Sequence, residues 1–150
     1  MGLSLTELLV EYLRSPLGLD EKAPRFSWQL SSDKKNTLQT AVEIRVREAK
    51  TEEEVWDSGL LSTDVSTGIT YEGKALKPCT AYVVQVEVTD NYGRKAVAET
   101  VFETGFLKKD KSVWEGADWI GAPDFHVAAN ARGVFVLEST FRLNEGSKRA

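Results

Sequence analysis

Cysteine and histidine each occur once, as Cys79 and His126, in a chain of 150 residues. No internal disulfide can form, so stability has to come from a buried core, which a chain of this length can supply without staples. The two residues sit in different parts of the sequence, which argues against a Cys–His nucleophile pair and against a metal site. Cys79 is expected to be a partly buried, inert thiol. No apolar run approaches the roughly 20 residues of a membrane span, so no membrane partner is expected. No charged segment leads into an apolar stretch, so no signal peptide is visible and the compartment stays open. The opening "MGLSLT" matches the loose myristoylation pattern and reads as coincidence. Basic runs are missing as well. "KKDK" at 108–111 is short and contains an acid, and the net charge is -4, so no nucleic-acid partner is expected. Gly59, Gly68, Gly73 and Gly93 fall in separate turns and form no phosphate loop, and no cofactor is expected.

What is present is ordinary globular composition, 41% apolar and 28% charged, with a strong period of two. In "AYVVQVEVT", Tyr82, Val84, Val86 and Val88 point one way and Ala81, Val83, Gln85, Glu87 and Thr89 the other. β-Branched residues in this alternation mark a strand with one buried face. "DNYG" at 90–93 is a turn signal, and "KAVAETVFETG" resumes the strand pattern, which predicts a hairpin. The same alternation runs through Phe26, Trp28 and Leu30 in 24–30 and through Val42, Ile44 and Val46 in 40–48. Shorter strands are expected at 54–59 and 67–73. Strands at roughly ten-residue spacing with turns between them predict an all-β sandwich.

Two regions read less simply. In "SLTELLVEYLRSP", Leu5, Leu8, Leu9, Tyr12 and Leu13 lie at helical spacing, with a capping box from Ser4 and Glu7 and a stop at Pro16. The first strand of a sandwich belongs there, and we take the segment as a strand because tertiary pairing often overrides local propensity. Past Gly105 the pattern changes to a long connection with few strand signals, followed by the strand-like 134–144. The sandwich is therefore assigned to 1–107, and 108–150 to a linker and the truncated start of a second β domain. An unpartnered 134–144 strand is expected to add to a sheet edge or to self-associate.

The stretch "LKPCTAYVVQV" resembles the tyrosine corner of fibronectin type III and immunoglobulin-like sandwiches. Leu76 plugs the core beneath a loop, Pro78 stiffens it, and the Tyr82 hydroxyl bonds back to the loop backbone. Trp28 resembles the core tryptophan of the second strand. A narrower resemblance lies in "EYL" at 11–13, "PLGLD" at 16–20, "PRFSW" at 24–28, "WDSG" at 56–59, "ETG" at 103–105 and "WIGAP" at 119–123. In this order they resemble the start of bacterial α-L-rhamnosidases, large multidomain glycoside hydrolases. Leu19 stands where that family often has Ile, and "PDFHVAANARG" looks like an insertion.

The resemblance implies a parent that hydrolyses terminal α-L-rhamnosyl bonds with inversion, using two carboxyl groups about 6.5–9.5 Å apart. It places them in an (α/α)6 barrel far downstream, so no catalytic residue is expected within this chain. Glu52, Glu53 and Glu54 read as a solvated loop, and Asp57 and Asp64 as turn residues. The implied role is a non-catalytic N-terminal structural module whose partners are downstream domains of the same parent. The alternative is a module binding carbohydrate, rhamnosides included, or protein. Trp114, Trp119 and Phe125 are the candidates for sugar or domain contact, because an exposed indole offers a flat apolar face. Trp56 reads as edge packing.

Overall fold

The computed structural model describes residues 2–108, together with Glu138 and Thr140. The chain divides into two compact units, Met1–Val113 and Trp114–Ala150. Trp114, Trp119, Phe125 and, apart from Glu138 and Thr140, the expected 134–144 strand lie outside the described residues. Among the described residues every regular element is a strand: β1 (Ser4–Val10), β2 (Arg25–Ser31), β3 (Gln39–Glu48), β4 (Glu54–Asp57), β5 (Ile69–Thr70), β6 (Ala81–Asp90) and β7 (Lys95–Glu103). They pair antiparallel into two sheets, ordered β1-β2-β5 and β4-β3-β6-β7. This is the immunoglobulin-like β-sandwich that the strand spacing predicts.

The alternation seen in the sequence fills the space between the sheets. Tyr82, Val84, Val86 and Val88 of β6 and Val42, Ile44 and Val46 of β3 are all fully buried. Ile44 stands opposite Val86, and Val46 opposite Val84. Each such side chain contributes roughly 1.5–3 kcal/mol through burial. From the other sheet Phe26 and Trp28 meet them, and Phe102 of the neighbouring β7 stacks on Tyr82 at 5.3 Å. The outward residues of the larger sheet neutralise one another, as in Arg47–Glu99 at 3.2 Å, Lys95–Glu87 at 2.6 Å and Arg45–Glu43. Such exposed pairs add little stability, but they keep this face wet.

The helical-looking first segment is β1, and its geometry accounts for the ambiguity. Leu5 pairs with Leu30 and Val10 with Phe26, but the register slips by one between Thr6 and Leu9. Glu7 sits at the slip with φ 53°. A bulge of this kind resets the phase of the strand. Leu3, Leu5, Leu8 and Val10 therefore all pack toward the core. The step of three from Leu5 to Leu8 reads as helical spacing when the bulge is unseen.

β4 and β5 are shorter than expected. Beyond Asp57 the chain turns: the Asp57 carboxylate accepts the Gly59 N–H at 2.7 Å, and Gly59 has φ 60°. β5 ends because Tyr71 dives into the core, 4% exposed, where its hydroxyl donates to the Lys74 carbonyl at 2.6 Å. Burial pushes that phenol up to about 12. Trp56 stacks on Phe26 at 6.1 Å and meets Tyr71 edge-on at 5.3 Å, at the margin of the core. Gly73 closes this corner, since a Cβ there would lie 2.5 Å from the Val55 carbonyl oxygen.

Among the described residues, buried polar side chains are partnered. Trp28 Nε1 donates to Gln39 Oε1 at 2.9 Å, and the Gln39 amide donates to the carbonyls of Thr63 and Val65. In the β6–β7 turn, the buried Asp90 carboxylate accepts the N–H groups of Tyr92 and Arg94 and the Arg94 Nε at 2.8–2.9 Å. Burial alone would raise the Asp90 pKa. The backbone donors and the guanidinium outweigh it and hold the carboxyl below its ordinary value.

Candidate functional site

Three stretches converge where β7 ends, and they hold "EYL", "PLGLD", "ETG" and the tyrosine corner. The first is the turn after β1. Val10 and Leu13 exchange backbone hydrogen bonds at 3.0 and 2.9 Å across Glu11 and Tyr12, which have φ 49° and 61°. Left-handed backbone at two adjacent non-glycine residues is strained, and Arg25 holds it. The Arg25 N–H and guanidinium both donate to the Glu11 carboxylate, at 2.6 and 2.7 Å, and the guanidinium lies 5.4 Å from the Tyr12 ring centre. The Arg25 hydrogen bond holds the Glu11 pKa below its ordinary value.

The second is the loop 16–20. The Glu103 N–H donates to the Pro16 carbonyl, the Leu19 N–H to the Glu103 carbonyl, and the Gly105 N–H to the Leu19 carbonyl, at 2.8–2.9 Å. Leu19 and Thr104 form a parallel bridge. The Asp20 carboxylate accepts the Leu107 N–H at 2.9 Å. "PLGLD" and "ETG", distant in sequence, are therefore one structural feature.

The third is the tyrosine corner. Tyr82 is fully buried, and its hydroxyl oxygen accepts the Lys77 N–H at 2.8 Å. Leu76 is buried beneath the loop, and Pro78 is exposed on it. Lys77 Nζ pairs at 2.6 Å with the carboxylate of Glu48, whose side chain is 9% exposed. Cys79 departs from expectation: its thiol is exposed. The corner turns at Cys79 with φ 48°, and its N–H donates to the Gly105 carbonyl at 2.9 Å, so the backbone is tied inward and the side chain left outside. Lys22, Leu76, Pro78, Phe106 and Leu107 help to line a recess of about 300 Å³ at this end. Tyr12, Leu13 and Leu17 are exposed, Leu17 to 81%.

Trp28 lies in the core at 3% exposure, away from these loops. Sequence reasoning missed Asp20, Glu11 and Glu48. Asp20 and Glu11 stood inside the motifs that carry the resemblance, but a motif names residues without naming their partners. Among the described residues, no group of three or more His, Cys, Asp or Glu side chains is arranged to hold a metal ion. Among the described residues, the carboxyl groups with a displaced pKa, Glu11, Glu53 and Asp90, all have it lowered. A general acid for glycoside hydrolysis needs the opposite.

Comparison with known proteins agrees with this geometry. The family model for the Rha78A-like, N-terminal immunoglobulin domain matches residues 5–108. An α-L-rhamnosidase of Streptomyces avermitilis is 38% identical over 127 residues, which is 81% of this chain and 12% of the relative. An α-L-rhamnosidase of Formosa agariphila is 30% identical over 79% of this chain and 13% of its own. Among solved structures, the Streptomyces avermitilis α-L-rhamnosidase complexed with L-rhamnose superposes with a TM-score of 0.73, at 38% identity over 81% of this chain and 12% of that one. The α-L-rhamnosidase from Dictyoglumus thermophilum gives 0.67, at 32% identity over 75% and 13%. The chain thus spans only 12–13% of the length of these relatives. With the match covering the whole sandwich, the chain belongs to the Rha78A-like N-terminal immunoglobulin domain family.

Proposed function

We propose that this chain is the non-catalytic N-terminal structural module of an α-L-rhamnosidase, and that the parent hydrolyses terminal α-L-rhamnosyl bonds with groups outside these 150 residues. The observation that carries the proposal is the match in place: four relatives named α-L-rhamnosidase align with this sandwich and extend far beyond it. The chemistry supports it from within. The acids at the β7 end are spent on structure, Glu11 on Arg25, Glu48 on Lys77 and Asp20 on the Leu107 amide. In this reading 1–107 is the sandwich, and 108–150 is a linker and the start of a further β domain. The partners are downstream domains of the same polypeptide, met through the end of the sandwich that carries Tyr12, Leu13, Leu17 and the recess beside Phe106.

The test is hydrolysis of a chromogenic α-L-rhamnoside by the full-length parent, with the 150-residue chain assayed in parallel. An active parent and an inert short chain are expected. Turnover by the short chain, or an inert parent, would overturn the proposal.

A further inference from the structure

Chain segments beyond the last strand of a domain ordinarily fray. Here the backbone past β7 is held from both sides. On one side stand the hydrogen bonds to Pro16, Leu19 and the Asp20 carboxylate. On the other, the Thr104 N–H donates to the Thr80 carbonyl at 3.0 Å and the Cys79 N–H to the Gly105 carbonyl at 2.9 Å. Thr104, 1% exposed, adds its side chain: Oγ1 accepts the Thr80 N–H at 3.0 Å and donates to the Lys77 carbonyl at 2.7 Å. Gly105 is the tight point. A Cβ there would overlap Asp20 Oδ1 and lie 2.9 Å from the Gly18 carbonyl oxygen. Leu107 takes φ 57°, and its N–H meets the carboxylate there.

We propose that loops 16–20 and 77–80 form a two-sided clamp that fixes the direction in which the chain leaves the sandwich, with Asp20 as its positioning residue. The inference rests on the structural-module reading and gives it a mechanical content: the backbone is held as far as Leu107 and is not a loose tether there. Asp20 is suited to the task because an ionised carboxylate makes a stronger hydrogen bond to an amide than a neutral acceptor does. Its bond is exposed, at the margin of the core where Leu107 packs, so removing it loosens the exit without opening the sheets.

The experiment is backbone relaxation and amide exchange by NMR on the 150-residue chain. Order parameters at Gly105–Leu107 are expected near the roughly 0.85 of rigid backbone. Asp20→Ala should lower them under about 0.6 and speed exchange of the Leu107 amide about tenfold or more, with Val84 and Val86 unchanged. Asp20→Asn, which keeps an acceptor oxygen, should restore much of the protection. A wild-type order parameter below about 0.6 at Leu107 overturns the clamp, and that reading stands even if Asp20→Ala fails to fold. Unchanged exchange in a folded Asp20→Ala overturns it too. Neither readout involves rhamnoside hydrolysis, so an inert parent and a loose exit are separate failures.

Discussion

At the scale of single residues, stability concentrates where a buried side chain also bonds the backbone of a turn. Tyr82 fills the core and gives the corner loop its acceptor for the Lys77 amide. Tyr82→Phe keeps the ring and removes that acceptor, so it should cost about 1 kcal/mol in denaturant unfolding. An unchanged midpoint would mean the corner bond adds nothing. Asp90 does comparable work in the β6–β7 turn, and its lowered pKa makes stability depend on pH. The folded form holds the carboxylate more tightly than the unfolded chain, whose aspartates titrate near about 3.9. The contribution is therefore complete above that value and is lost as pH falls through the lower folded value. Asp90→Asn should flatten the acid limb of a stability-against-pH curve while lowering the plateau at neutral pH. An acid limb as steep as in the wild type would assign the effect to other carboxylates.

At the scale of elements, legibility followed the regularity of the backbone. β3 and β6 were readable almost to the residue because each keeps a strict period of two over a buried face, from Val42 to Val46 and from Tyr82 to Val88. β1 was harder because the bulge at Glu7 converts alternation into a step of three, which a helix also produces. β5 shrank to Ile69–Thr70 because Tyr71 leaves the strand for the core, a packing choice that no local pattern announces. Cys79 followed the same rule. Its neighbours are those of a buried position, yet a left-handed turn sends the thiol outward. The β7 end was half legible. Its residues stood in the sequence as motifs, but the pairing of Leu19 with Thr104, 85 positions on, is tertiary information. So is the contact of Asp20 with Leu107.

At the scale of the molecule, the question is whether the sandwich is complete in itself. Its fully buried side chains all fall between Val10 and Thr104, and the strands of both sheets lie within Ser4–Glu103. The last strand is then secured by loops 16–20 and 77–80, both inside residues 2–108. A core closed within about 100 residues and reached by antiparallel pairing should unfold in one step. A chain cut after Lys108 is therefore expected to melt cooperatively, with an enthalpy of about 75 kcal/mol near 60 °C from the usual value per residue. Calorimetry supplies the check, since the measured and van't Hoff enthalpies must agree for a two-state domain. A broad transition, with a calorimetric enthalpy well above the van't Hoff value, would mean that the sandwich unfolds in more than one cooperative step.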